Sequence, residues 1–276
     1  MMLFSILFLI LIAVLIIAYT LIDFFVFKTK DRRSERRTRL INYLLVIGFV
    51  LLIVLYFVTM PTIIFLQNII DTIMSFCILA LATTGIVLIF KTSVTTNFAQ
   101  GMMATVAAFV SGVLAISIAA RFALPQALIV LITMIIGSFI SFLIGLFIDT
   151  MIIRKSKNVT PVGKQMITMG LVLVISGFIP IVFGTNLIKA PEFSSQVIGF
   201  KFVGYDLRIS ENTIYTMVIT LVVLGVLFAA LKFTKWGLGV RATASNEVVA
   251  GIMGVNTKVI TALSWAIAGA LGGIAA

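Results

Sequence analysis

The residues best placed to do chemistry lie in a polar segment, residues 235–256, between two long apolar stretches. Ser245 can cap a helix, Glu247 would lie in its first turn, where a negative charge suits the helix dipole, and Gly254 offers a stop. One face of this helix carries four apolar side chains at helical spacing: Val248, Val249, Ile252 and Met253. A helix of about nine residues is marginal alone in water, where about 12 to 15 are needed. The segment is therefore predicted to be held against another surface.

This chain lacks the residues that several kinds of catalytic site require. Histidine is absent, so the usual zinc sites and histidine-based catalysis are excluded, and Cys77, the single cysteine, cannot form an internal disulfide. No G-x-x-x-x-G-K-[ST] phosphate loop is present, because Gly163-Lys164 is followed by Gln165 and lacks the upstream glycine. We expect no bound metal or cofactor and no enzyme activity. A scaffold, or an intramembrane enzyme using a serine and a lysine, stays a disfavoured alternative.

The elements that must position the polar segment are membrane spans. The chain is 62% hydrophobic with a mean hydropathy of +1.26, whereas a soluble domain is about 45–50% apolar. Since a spanning helix needs about 20 mainly apolar residues, the sequence predicts an all-α, polytopic transmembrane helical bundle of about eight spans. Their approximate ranges are 2–27, 40–60, 69–90, 98–120, 124–150, 165–184, 213–231 and 259 onward. The last is still apolar at Ala276, so we expect the chain to be C-terminally truncated.

The distribution of cations predicts how these spans are oriented. If residues 28–39 are cytoplasmic, strict alternation places sixteen of the twenty lysines and arginines inside and four outside. This bias follows the positive-inside rule and predicts an N-terminus outside. It also accounts for the net charge of +11 without nucleic acid as a partner. We interpret the basic loop as a determinant of topology, with binding to anionic membrane lipid as the alternative.

Small residues recur at a spacing of four in two predicted spans, which lets helices approach closely in lipid. They are Gly137, Ser141 and Gly145 in the fifth span, and Ala262, Ala266 and Ala270 in the eighth. We expect these stripes to pack within the chain, and contact between subunits is the alternative. The acidic residues Asp23, Asp71 and Asp149 all lie near span ends, which favours an interfacial position over a proton relay.

Two junctions between spans are unusual. Residues 92–101 are rich in hydroxyl and amide side chains, among them Asn97 and Gln100, followed by Gly101. The segment is either a cytoplasmic turn, which Lys91 favours, or a broken helix at membrane depth whose exposed backbone meets a solute. The outer segment 185–212 alternates apolar and polar residues around 197–203 and predicts a short helix or a hairpin.

Three segments together resemble the inner-membrane permease subunits of ABC importers of the branched-chain amino acid type. One is Asn97-Phe98-Ala99-Gln100-Gly101 with the helix before it. Another is residues 154–164 with the following span, and the most specific is Gly239-Val240-Arg241-Ala242 through Ala250-Gly251-Ile252-Met253-Gly254-Val255-Asn256. The resemblance implies a permease core over residues 61–276, and residues 1–60 would form a two-span hairpin outside it. Gln100 stands where many amino acid permeases of this family have a histidine.

The resemblance also implies a function and a set of partners. The chain would be a transport subunit in a prokaryotic inner membrane, passing a small amino acid or related solute received from an extracytoplasmic binding protein. A second permease subunit, identical or different, would complete the path. ATP and magnesium would bind to separate ABC ATPase subunits. The alternative is a secondary transporter or channel that works without an ATPase.

The resemblance assigns residues to two places. The coupling loop that would contact the ATPase comprises Arg241, Ser245, Glu247, Val248, Val249, Ile252, Met253 and Gly254. The candidate translocation path comprises Asn97, Gln100 and Gly101.

Overall fold

The computed structural model describes residues 43–44, 47–48, 51–52, 62–156, 159–185, 192–202 and 205–276. The predicted hairpin over 1–60, with its two spans, falls almost wholly outside these residues. Contacts divide the chain into one unit of residues 1–69 and 201–207 and a second of residues 70–200 and 208–276. The second unit contains both candidate sites.

From residue 62 onward, the described residues form eight α-helices. Six are long and apolar enough to cross a membrane: α1 (Thr62–Ser93), α2 (Gln100–Arg121), α3 (Gln126–Phe147), α4 (Pro161–Phe183), α5 (Glu211–Phe233) and α8 (Thr257–Ala275). Two shorter helices, α6 (Lys235–Ser245) and α7 (Glu247–Ile252), lie between α5 and α8, and a π-helical turn (Ile148–Ile153) continues α3. The all-α polytopic prediction is confirmed, and the six spans correspond to the last six predicted from the sequence.

The segment between α4 and α5, predicted to be a short helix or a hairpin, contains a hairpin. Strands β1 (Val197–Phe202) and β2 (Tyr205–Ser210) pair as a two-stranded sheet, so the hairpin alternative is the correct one. Ser210 then caps α5, because its hydroxyl accepts a hydrogen bond from the backbone N–H of Asn212 at 3.2 Å.

Helix α8 forms the centre of the second unit. Of the residues in its 18-residue apolar stretch, 56% are buried, against 11–28% for the other five described spans. It packs most extensively against α3, which also packs along α2. A Cβ at Gly145 or Gly269 would overlap the backbone of the facing helix, at the carbonyls of Trp265 and Ser141 respectively. Close approach without side chains is therefore what holds these helices together.

The predicted stripes of small residues pack within the chain. On α3, Gly137 faces the backbone of Ala107 on α2, and the fully buried Ser141 donates a hydrogen bond to the carbonyl of Met103. On α8, Ala262 and Ala266 are buried. The preference for internal packing over subunit contact is confirmed for these positions.

We name the two ends of this unit after the residues found there. At the basic end, Arg154 after the π-helical turn reaches the carbonyl of Lys258 at the start of α8. At the hairpin end, the Gln126 amide at the start of α3 donates to the carbonyl of Glu192 at 2.7 Å. The segment containing α6 and α7 joins α5 to α8 at the basic end.

Candidate functional site

Three polar side chains cap the helix starts in the segment that joins α5 to α8. The Thr234 side chain accepts from the N–H of Gly237 to start α6, Asn246 accepts from Val249 to start α7, and Asn256 accepts from Val259 to start α8. Each satisfies a backbone donor that a helix start leaves free.

The prediction that Ser245 caps this helix is wrong. Ser245 is the last residue of α6, because the N–H of Asn246 still bonds to the carbonyl of Ala242. Asn246 adopts an extended backbone (φ −160°) and caps the helix, so α7 has six residues rather than nine. Glu247 lies in its first turn as predicted, and Gly254 follows the helix with φ of +86°. That left-handed conformation is one glycine adopts without strain.

The apolar face of α7 is open. Its four side chains are 53–80% exposed: Val248 (71%), Val249 (53%), Ile252 (80%) and Met253 (78%). Only the opposite face is anchored, through Ala250, which is 4% exposed. The alternative that these four residues pack on the chain's own helix ends does not hold. Since fully burying one such side chain gains about 1.5–3 kcal/mol, this face has a large free energy to gain from a complementary surface.

Helix α6 fastens the segment to the ends of α5 and α8. The guanidinium of Arg241 donates a hydrogen bond to the carbonyl of Leu231 in the last turn of α5. Val240 is buried in a cluster with Leu88 of α1 and Ile260 of α8. A Cβ at Gly237 would overlap Leu231, so glycine is needed for this close approach. Arg241 therefore fixes the segment in place, and α7 projects from a rigid support.

The second candidate site is a break in helical structure, residues 94–99, between α1 and α2. Its side chains alternate: Thr95, Asn97 and Ala99 are buried, whereas Val94 (61%) and Phe98 (46%) are exposed. Val94 has φ of +50°, a region that β-branched residues rarely adopt. Strain of this kind is kept where surrounding structure over-determines the backbone, and it is often found at functional sites.

Hydrogen bonds tie the break, and the first residue of α2 after it, to α4 and α8. The Thr168 hydroxyl of α4 lies 2.7 Å from the Gln165 carbonyl and accepts from the N–H of Phe98 at 3.2 Å. The Asn97 side chain accepts from Ala99 N–H at 3.0 Å. The Gln100 amide donates to the Ala268 carbonyl of α8 at 2.6 Å. Non-helical backbone survives in a membrane only with such partners or beside water.

The level of the break follows from its contacts with α8. The indole N–H of Trp265 donates to the Ser93 hydroxyl at 3.1 Å, and Gln100 bonds to Ala268. With a rise of 1.5 Å per residue, these positions lie about 12 and 16 Å from the start of α8. The hydrocarbon core of a bilayer is about 30 Å thick. If α8 begins at the membrane surface, these contacts would put the break at membrane depth, as the broken-helix alternative requires; the choice between that alternative and a surface turn stays a prediction.

The three predicted path residues differ in what they contact. Asn97 and Gln100 are 1% and 3% exposed, and the Asn97 Nδ2 donates to the Gln100 Oε1 at 3.4 Å. Both side chains therefore stabilise the break. Gly101 is exposed, and a Cβ there would meet nothing within 4 Å. Contact of any of the three with a solute stays a prediction.

Replacing Gln100 with methionine is expected to destabilise the protein by about 1–3 kcal/mol, because the buried Ala268 carbonyl and the Asn97 amide lose a partner. Thermal unfolding of the purified protein in detergent measures this. The matched control is Gln126→Met, whose amide is exposed and can be replaced by water. Equal melting temperatures for the two variants would contradict the role given to Gln100.

Sequence reasoning missed the partners of the break and of the basic end. Thr168 and Trp265 gave no signal, since a threonine or a tryptophan in an apolar span is ordinary. Asp149 was expected at the membrane interface; it does lie at a span end, but it is 3% exposed and paired with Arg154 at 2.9 Å. An acid and a base five residues apart at a span end was the available signal.

A cavity of about 250 Å³ lies toward the hairpin end, lined by residues of α1, α2, α3, α5 and α8. The lining is mainly apolar, and residues 273–276 form part of it. Thr220 lines it with a buried hydroxyl that has no hydrogen-bond partner. A space of this kind suits a small, mostly apolar group that can offer one hydrogen bond.

The helices and the segment at the basic end define a multi-pass membrane protein with a rigidly supported, exposed apolar helix at one end. Residues 68–276 match the family model described as the branched-chain amino acid transport system / permease component. Because that match covers most of the chain, the protein belongs to this family of permease subunits.

A curated relative points the same way. The chain is 24% identical over 204 residues to the probable branched-chain amino acid transport permease protein LivH of Methanocaldococcus jannaschii. The alignment covers 72% of this chain and 61% of that protein, so the chain spans about three fifths of the relative's length. No solved structure matches the chain.

Proposed function

We propose that this chain is the permease subunit of an ATP-driven ABC importer and that α7 is its contact with the ATPase. The observation that carries the proposal is the exposed apolar face of α7 on a rigid support. An amphipathic helix that lays such a face into a groove is a common mode of recognition between proteins. Glu247, Val248, Val249, Ile252 and Met253 make this contact, and Arg241 holds the helix in position.

ATP hydrolysis by a separate subunit supplies the energy for transport. The chain lacks a phosphate loop, so ATP and magnesium bind to the ATPase. Closure of an ATPase pair displaces α7, and the displacement passes along the chain to α8. A helix that moves as a rigid element can shift a packed bundle between two arrangements, here outward-open and inward-open.

The basic end faces the cytoplasm of a prokaryotic cell in this proposal, and the N-terminus lies outside. Lys164, Lys232, Lys235 and Lys258 all belong to this end, as the positive-inside rule requires. The hairpin end then faces the extracytoplasmic binding protein that delivers the solute. A second permease subunit completes the path.

The solute is a branched-chain amino acid or a related small compound. The support is the description of the matching family and the name of the relative LivH, both of which refer to branched-chain amino acid transport. We place the path beside Gly101 and Phe98, which are exposed at the start of α2. Asn97 and Gln100 hold the break behind them and keep the start of α2 at membrane depth.

Site-specific crosslinking tests the contact with the ATPase. The buried Cys77 is the single cysteine, so Cys77→Ser gives a clean background for Val249→Cys labelled with a photoactivatable crosslinker. We expect a product containing the ATPase subunit. The matched control is Leu221→Cys, which is 67% exposed in the middle of α5 and should give no such product. Equal crosslinking at both positions, or at neither, would contradict the assignment of α7 as the contact.

A further inference from the structure

The π-helical turn after α3 brings together two charged side chains that an α-helix would separate. Residues five apart on an α-helix point about 140° away from each other, whereas a π-helix bonds residue i to i+5. Here the N–H of Arg154 donates to the Asp149 carbonyl at 2.8 Å. The guanidinium then meets the Asp149 carboxylate, with Nη2 and Oδ2 2.9 Å apart.

The same guanidinium nitrogen also reaches α8. Nη2 of Arg154 donates to the carbonyl of Lys258, the second residue of α8, at 2.7 Å. Asp149 is buried and the Arg154 side chain is one third exposed. We call these three groups, the Asp149 carboxylate, the Arg154 guanidinium and the Lys258 carbonyl, the Arg154 clamp.

The clamp joins the end of α3 to the start of α8, the span that follows α7 in the chain. Chain connectivity joins α7 to the start of α8 through Asn256, but it gives α7 no direct link to α3. Helix α3 packs along α8 through small residues. The Arg154 clamp adds a polar contact to this packing, which helps to fix α3 in its position along α8.

We propose that Arg154 is a positioning residue that makes α3 move together with α8 when α7 is displaced. The inference rests on the proposed function. Ile148 and Ile153 of the π-helical turn share a core cluster with Trp265 and Ala268 of α8 and with Met103 of α2. When the clamp makes α3 and α8 move together, their displacement is therefore passed to α2, the helix that begins after the break.

The test compares transport with ATP hydrolysis in liposomes containing the permease, the ATPase and the binding protein. In Arg154→Gln, hydrolysis should stay near that of the unmodified complex, and solute moved per ATP hydrolysed should fall about tenfold. Arg154→Lys keeps the charge and should recover the ratio to within about threefold. A merely structural residue would lower the amount of assembled complex and leave this ratio unchanged.

A second variant covers the case in which Arg154→Gln fails to fold because Asp149 is left as an unpaired buried charge. Asp149→Asn with Arg154→Gln removes both charges, which should restore thermal stability while the transport ratio stays low. A transport ratio equal to that of the unmodified complex in this double variant would overturn the clamp and leave the proposed function standing. If the unmodified complex itself shows no ATP-dependent transport, the proposed function fails instead.

Spin labels give a direct measure of register. They are placed by Lys155→Cys and Val259→Cys in the Cys77→Ser background, at two exposed positions of the basic end. We expect the distance between labels to be unchanged by ATP in the otherwise unmodified complex and to shift or broaden with ATP when Arg154→Gln is added. An unchanged distance in both would contradict the inference.

Discussion

Replacing Ile252 with arginine is expected to weaken the complex of permease and ATPase at least about 100-fold and to abolish ATP-dependent transport. Ile252, the last residue of α7, is 80% exposed, the highest value on its apolar face. In the free permease, an arginine there is solvated and costs little. In a groove on the ATPase it would be a buried charge without a partner, which is far more costly than the lost apolar contact. Titration of the purified ATPase onto the permease in detergent measures the affinity.

Two controls separate this effect from misfolding or a general effect of charge. Ile252→Leu keeps the apolar surface and should bind the ATPase normally. Val162→Arg introduces the same charge at a 66% exposed position in the first turn of α4 and should also leave binding intact. A complex of normal affinity with Ile252→Arg would show that α7 is not the point of contact.

Replacing Gly145 with leucine is expected to prevent stable folding. A Cβ at this position would overlap the backbone carbonyl of Trp265, and no flexible side chain can move aside. Overpacking usually costs about 1–3 kcal/mol, and a clash between two backbones falls at or above that upper value. Because α3 and α8 form the largest contact in the second unit, their separation affects the whole unit. Size-exclusion chromatography after membrane extraction measures the loss of monodisperse protein.

The matched control is the same substitution at Gly177 in α4. A Cβ there meets nothing within 4 Å, and leucine at an exposed position of a span is compatible with lipid. Gly177→Leu should therefore extract and elute like the unmodified protein. Equal behaviour of the two variants would mean that close contact of α3 with α8 is not what holds the unit together.

The spans could be predicted from the sequence because membrane burial depends on composition over some 20 residues, a signal that no single contact alters. The internal packing of Gly137, Ser141 and Gly145 was also predictable, since small residues at this spacing lie on one side of a helix and let neighbouring helices approach closely. The apolar face of α7 was visible from its spacing. Its exposure was not, because sequence does not show which surfaces remain uncovered.

Other features depend on local competition that a pattern cannot decide. Ser245 and Asn246 are adjacent and both favour capping, and the end of α6 decides between them. The segment 94–99 could be a turn or a broken helix from composition alone, and its contacts with α8 through Gln100 and Ser93 could not be read from the sequence. An acid and a base five residues apart suggest a pair only if the turn is π-helical, and that turn has no sequence signature, so the structure was needed to show that Asp149 and Arg154 meet.

The most direct test of the central claim is uptake by liposomes containing the permease and its binding protein, measured with and without the ATPase subunit. The proposed function predicts uptake of a branched-chain amino acid only when the ATPase and ATP are both present on the side of the basic end. Equal uptake in liposomes that lack the ATPase would contradict it.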